Sequence, residues 1–124
     1  MARILIVDDA VTVRMFHRNA VEALGHDVAE AENGIEGIET ALTDPVDLML
    51  VDINMPRMDG FRFLEEIRKT PELQGIPAVM VSTEAKPDDR LKAYACGANL
   101  YRVKPVKPAD MKALLSLILG EPTA

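Results

Sequence analysis

Short runs suited to strands alternate along the chain with longer stretches in which apolar residues recur every three or four positions. The runs are RILIV from Arg3 to Val7, DVAEA from Asp27 to Ala31, LMLV from Leu48 to Val51, PAVMVS from Pro77 to Ser82 and NLYRV from Asn99 to Val103. Their length and β-branched content predict five strands. Between them, Val13, Phe16, Ala20 and Leu24 follow helical spacing, and Gly25 is placed to end that helix. Ile35, Ile38 and Leu42 mark a second helix before Asp44 and Pro45. Leu64 and Ile67, with Phe61 or Phe63, mark a third that stops by Pro71. Leu91 with Tyr94 or Ala95 marks a fourth, entered through Pro87 with Asp88 and Asp89 as capping candidates. Met111, Leu114, Leu115 and Ile118 complete a fifth at i, i+3, i+4 and i+7.

Strands that are apolar on both faces and alternate with helices imply a parallel sheet covered on both sides, and right-handed crossovers restrict its winding. The expected class is therefore α/β: a doubly wound, five-stranded parallel sheet with five helices. At 124 residues, 48% of them hydrophobic, there is material for one core and no second domain. Residues 1–120 are read as that domain and 121–124 as a short C-terminal tail.

Charge narrows the partners. Twenty acidic residues against 14 basic ones leave a net charge of -6, and the basic residues are scattered, so direct nucleic-acid binding is not expected. No apolar run approaches the roughly 18 residues of a membrane span, and no signal-peptide pattern opens the chain. A cytoplasmic location without membrane insertion is expected. Cys96, the only cysteine, has no internal disulfide partner and reads as a buried or helix-end thiol. His17 and His26 are expected at the surface.

In a parallel sheet all strands deliver their C-terminal ends to one rim, where ligands bind. The rim residues are Asp8 and Asp9 after the first strand, Asp52 after the third, Ser82 and Thr83 at the fourth, and Lys104 before Pro105 at the fifth. Glu30 and Glu32, from the second, have no assigned role. Taken singly, Asp8 and Asp9 could begin a helix and Ser82 could cap one; their conjunction at one rim points elsewhere. Two carboxylates about 4 Å apart repel by roughly 4 kcal/mol at an effective dielectric near 20. Three together call for a cation, and an all-oxygen set favours Mg2+ that keeps waters and shares a phosphate. A lysine across the rim needs an anion to meet, and a hydroxyl adds another hydrogen bond. Asp52 is the candidate acceptor of a phosphoryl group, as an acyl phosphate.

The motifs ILIVDD from Ile4 to Asp9, DINMPRMDG, VSTEAK and YRVKP together resemble those of response regulator receiver domains of two-component systems, over nearly the whole chain. Single-domain, CheY-like members are the most similar in layout. The resemblance implies the flavodoxin-like strand order 2-1-3-4-5, which the strand pattern alone does not establish. It makes Asp52 the phosphoacceptor and gives Mg2+ the ligands Asp8, Asp9, Asp52 and the backbone carbonyl of Asn54. It makes Ser82 the switch hydroxyl, Lys104 the partner of the phosphoryl group and Tyr101 the aromatic switch, although half-buried packing in a short strand is an equal alternative for Tyr101. It implies a cis Lys104–Pro105 bond. Asn54 and Glu84 would flank the path of the hydrolytic water and tune dephosphorylation. Ser82 stands where the family often has threonine, and Val106 where it often has phenylalanine.

The implied function is that of a stand-alone response regulator, a monomer phosphorylated by a sensor histidine kinase. It would be a phosphoacceptor with self-catalysed transfer and dephosphorylation rather than an enzyme. The family's output face would place Lys86, Arg90, Tyr101 and Lys107 near a downstream protein, such as a flagellar motor component in chemotaxis; for Lys86 and Arg90 a solvated helix face is the plainer reading. Phosphate sink and phosphorelay intermediate remain alternatives. An aspartyl-phosphate phosphatase would need a second acid where Asn54 stands, and a nucleotide-binding protein would need glycines that VDDAVTVR lacks. A receiver-like protein that only binds partners would lack part of the acidic set or the lysine.

Overall fold

Alternation within single strands sorts the core into two layers. In β1 (Arg3–Val7), Ile4 and Ile6 join one buried cluster while Leu5 and Val7 join another. In β3 (Leu48–Asp52), Leu48 and Leu50 go with the first, Met49 and Val51 with the second. A strand buried on both faces must lie inside a sheet with helices on both sides. The computed structural model, which describes residues 1–83 and 86–120, shows this arrangement. The remaining strands are β2 (Asp27–Ala31), β4 (Ala78–Ser82) and β5 (Leu100–Val103), and the sheet is parallel throughout in the order β2-β1-β3-β4-β5.

The helices are α1 (Val11–Ala23), α2 (Gly34–Thr43), α3 (Gly60–Lys69), α4 (Pro87–Ala95) and α5 (Pro108–Leu119). α1 and α5 cover the layer containing Ile4, Leu50 and Val79, with Val21, Met111, Leu114 and Leu115 buried there. The opposite layer gathers Phe63, Leu64, Ile67 and Ala93 from α3 and α4 against Leu5, Met49 and Met80. Burying one such Leu or Ile is worth about 1.5–3 kcal/mol.

Local signals place the helix ends. Asn33 and Asp59 cap α2 and α3 by accepting the backbone N–H groups of Glu36 and Arg62 at 2.9 and 2.8 Å. Pro87 and Pro108 sit at the start of α4 and α5. Gly25, at φ 89°, carries the chain out of α1 in a conformation that favours glycine. The Lys104–Pro105 bond is cis.

Several faces differ from the spacing argument. α1 buries His17, Ala20 and Val21, while Phe16 is exposed. Leu42 is exposed because α2 approaches the sheet through the small residues Gly34, Gly37 and Ala41. Ala93 is the one buried residue of α4, and Leu91 and Tyr94 lie outside. Asp88 and Asp89 lie in its first turn, and the cap position is Lys86. Both histidines are buried, contrary to expectation: His26 Nδ1 accepts the Ala2 N–H at 3.0 Å, and His17 Nε2 accepts the Val106 N–H at 2.9 Å. Paired with backbone donors, the rings tolerate burial that free imidazoles would resist.

Candidate functional site

The parallel register carries the polar residues to one end of the sheet. Val7 at the end of β1 lies opposite Val51, so Asp8 follows beside Asp52, the last residue of β3. Asp52 pairs with Val81, and Ser82 with Val103, which brings Ser82 and Lys104 to the same rim. Asp8, Asp52 and Ser82 are buried and Asp9 is exposed. A carboxylate oxygen from each of Asp8, Asp9 and Asp52 lies within 4.8 Å of the others. Lys104 Nζ donates to Asp52 Oδ1 at 3.0 Å and to Asp8 Oδ2 at 3.2 Å.

The loops are held in place by their own bonds. The Asp8 N–H donates to the Ala31 carbonyl at 3.0 Å, and Asp8 Oδ1 accepts the Ala10 N–H at 2.9 Å. Arg14 donates to the Asp8 carbonyl and to Glu30, both at 2.7 Å, and Arg18 also pairs with Glu30. Glu30, unassigned from sequence, thus aims Arg14 at the acidic loop, whereas Glu32 is exposed. On the other side the chain turns tightly after β3. The Met58 N–H donates to the Pro56 carbonyl at 2.7 Å across Arg57, which sits at φ 70°. The Gly60 N–H reaches the Ile53 carbonyl at 2.8 Å. A Cβ on Gly60 would stand 2.3 Å from the Asp52 carbonyl oxygen, so only glycine lets α3 start this close to the site.

Burial raises the pKa of Asp52 to about 6, with Lys104 opposing and the Asp8 charge adding to the rise. Burial alone would depress Lys104, but its bonds to Asp52 and the charge of Asp8 more than offset this, and its pKa is raised. The lysine thus stays protonated beside two carboxylates that it cannot fully neutralise together with Asp9. An all-oxygen, acid-rich donor set with partial neutralisation fits a hard divalent cation.

Of the other residues singled out from sequence, Asn54 is exposed two positions beyond Asp52, and Glu84 lies outside the described residues. Lys86, Arg90 and Lys107 are exposed. Tyr101 is not a surface residue: it is 2% exposed, and the Arg90 guanidinium lies 5.5 Å from its ring centre. The ring is more deeply buried than the half-buried position that alternation in a short strand suggested. Cys96 caps the C-terminal end of α4, partly buried. A groove of about 270 Å³ beside Lys104 is lined by Thr12, Val13, Phe16, Thr83 and Pro105. Two contributors escaped the sequence reading, Glu30 with Arg14 and His17. For His17 a signal existed, since it stands four residues after Val13 and four before Val21 on one helical face.

Residues 4–116 match the family model of the response regulator receiver domain. The chain is 35% identical over 120 residues to the chemotaxis protein CheY homolog of Campylobacter jejuni, covering 95% of this chain and 92% of that protein. It is 37% identical over 102 residues to the gliding motility regulatory protein of Myxococcus xanthus, covering 82% of this chain but 13% of that much longer protein. Among solved structures, it superposes with a TM-score of 0.89 on the receiver domain of a sensor histidine kinase from Pseudomonas aeruginosa. That structure holds a magnesium ion coordinated in its active site cleft; the two share 27% identity, with 97% of this chain and 98% of that chain covered.

Proposed function

Because the chain belongs to the response regulator receiver family, we propose that it acts as a stand-alone phosphoacceptor that takes a phosphoryl group on Asp52 from a phosphohistidine of a sensor histidine kinase. The observation that carries this reading is the position of Lys104 Nζ, within 3.0 Å of Asp52 and 3.2 Å of Asp8, in a rim where three carboxylates converge.

With its pKa raised to about 6 by burial, Asp52 is mostly ionised at neutral pH and above, and its oxygen can attack phosphorus. An O–P bond forms as the P–N bond to the kinase histidine breaks, and the imidazole departs with the electron pair. Phosphoryl transfer of this kind needs positioning and charge stabilisation more than covalent assistance. Asp8, Asp9, Asp52 and the Asn54 carbonyl would hold Mg2+, which when bound neutralises charge on the phosphoryl oxygens. Lys104 moves from carboxylate to phosphoryl oxygen, and the Ser82 hydroxyl donates to another.

Those two contacts drive the output. Moving a two-state equilibrium from 1:99 to 99:1 requires about 5.5 kcal/mol. A charge-assisted hydrogen bond supplies roughly 1.5–3 kcal/mol; because Lys104 gives up its bonds to Asp52 and Asp8 to meet the phosphoryl group, its net gain is smaller, and the two contacts supply part of that shift. The chain is consumed as a phosphoacceptor and released by hydrolysis of its own acyl phosphate, so it is a signalling protein rather than an enzyme acting on a separate substrate. The output is a changed protein-binding face around α4, β5 and α5, where Lys86, Arg90 and Lys107 are exposed. The relative named as a chemotaxis protein favours a chemotactic pathway, in which a flagellar motor component would be the target. No helix among the described residues is long and apolar enough to cross a membrane.

Labelling from the phosphorylated kinase tests the reading. The parent should incorporate phosphate with Mg2+ and lose incorporation in EDTA, and Asp52→Asn should fold without labelling. Acyl-phosphate labelling of Asp52→Asn at the parental rate would rule Asp52 out.

A further inference from the structure

His17 stands in the middle of α1, fully buried beside the layer that contains Ala20, Val21 and Val106. Its ring stands edge-on to Phe16, with centroids 5.9 Å apart, and only one of its nitrogens is hydrogen-bonded. Nε2 accepts the backbone N–H of Val106 at 2.9 Å, while Nδ1 is buried and finds no partner among the described residues. With Nε2 acting as acceptor, the neutral ring carries its hydrogen on Nδ1. A buried N–H without an acceptor costs about 1–3 kcal/mol. An aliphatic side chain would fill the same apolar site without that cost. What the imidazole adds is therefore the acceptor.

The receiving segment is the one that presents the phosphoryl-binding lysine. Across Lys104, Pro105 and Val106 the backbone has two N–H groups, because proline has none. The Lys104 N–H donates to the Ser82 carbonyl at 2.8 Å, and the Val106 N–H donates to His17. The segment is thus tied on one side to β4 and on the other to α1. Both bonds are buried or nearly so, and between them lies the side chain whose Nζ must reach an oxygen at Asp52.

We propose that His17 is a positioning residue for Lys104: its Nε2 holds the Val106 N–H and thereby sets the reach of the lysine ammonium to an anion bound at Asp52. Burial holds the imidazole below its ordinary pKa, with the Asp8 charge opposing and Lys104 reinforcing, so the ring is neutral and keeps its acceptor at neutral pH. Of the charged groups on the other packed elements, Glu30 of β2 is engaged by Arg14 and Arg18, and Asp110 at the start of α5 is exposed.

This inference rests on the phosphoacceptor reading, and the experiment separates the two. Mg2+ alone, and then beryllofluoride with Mg2+, are titrated by NMR into the parent, His17→Gln and His17→Leu. The glutamine amide oxygen can reach as Nε2 does; leucine offers no acceptor. His17→Leu should bind Mg2+ as the parent does, exchange its Val106 amide faster and bind beryllofluoride about tenfold more weakly, as displacement of Lys104 from one hydrogen bond to the bound anion predicts. His17→Gln should return affinity to within about twofold of the parent. Parental beryllofluoride affinity in His17→Leu, or equal weakness in both variants, overturns the role of His17 while leaving Asp52 as acceptor. Failure of the parent to bind beryllofluoride overturns the phosphoacceptor reading and this inference with it. Should His17→Leu not fold, the imidazole nitrogen shifts of the parent decide: the Nδ1–H tautomer with a slowly exchanging Val106 amide supports the proposal, and the Nε2–H tautomer overturns it.

Discussion

Replacing Asp52 by asparagine should stabilise the fold while abolishing its phosphorylation. The folded carboxyl titrates at about 6 against an ordinary value of 3.8, because it is buried beside Asp8 with Lys104 compensating only in part. A group whose folded pKa is raised gives its full contribution to stability below the ordinary value and loses it as pH rises through the folded value. At 1.36 kcal/mol per tenfold change, the loss at neutral pH is about 3 kcal/mol. Asparagine has nearly the same shape and does not titrate. Between about pH 4.5 and pH 7.5, the stability of Asp52→Asn relative to the parent should therefore rise by about 2 kcal/mol. Urea unfolding in EDTA, followed by far-UV circular dichroism at both pH values, measures this difference. Mg2+ should shrink the advantage, since a ligand at 100 times its Kd stabilises the parent by about 2.7 kcal/mol and the variant lacks one ligand. A parent at least as stable as the variant at the higher pH in EDTA, or a pH-independent difference, refutes the reasoning.

Three further outcomes are expected. Ser82→Ala should label at Asp52 but lose most phosphorylation-dependent partner binding, read by pull-down beside amide shifts of α4 and β5 with beryllofluoride. Gly60→Ala should cost about 1–3 kcal/mol in urea unfolding and slow labelling, because its Cβ meets the Asp52 carbonyl oxygen. Arg68 donates to the carbonyls of Gly97, Gln74 and Ile76, so Arg68→Met should cost roughly 1–3 kcal/mol, seen as a lower urea midpoint with labelling retained once folded.

The acidic rim was legible because it depends on a rule that local pattern can reach: strands in a parallel sheet end together, so Asp8, Asp52, Ser82 and Lys104 could be read as neighbours from their places after apolar runs. The cis bond and the strand order came from resemblance, since no spacing in the chain distinguishes them. The inner face of α1 was misjudged for a physical reason. Phe16 and His17 are adjacent, and transfer preference puts phenylalanine inside, yet the buried position needed an acceptor for Val106, which only the folded loop supplies. Glu30 and Arg14 were missed likewise, because their contact joins β2 to α1 across 16 residues of sequence. Leu91 and Tyr94 obeyed helical spacing, but α4 buries one alanine, and spacing does not reveal how closely a helix approaches.

The separation of Lys104 from its partners has a consequence for how the protein is made. Asp8 and Lys104 lie 96 positions apart, and Asp52 and Lys104 lie 52 apart. During synthesis, at roughly 5–20 residues per second, the first acid emerges about 5–20 s before the lysine that answers its charge. For roughly the last 3–10 s of that interval, once β3 has followed, β1 and β3 can pair, but their ends bring like charges together without the cation that follows β5. The sheet is thus opposed at its rim until Lys104 arrives after β5. On the proposed reading, competence to receive a phosphoryl group would arise only once Lys104 has joined the rim, so labelling at Asp52 would report that β5 has docked.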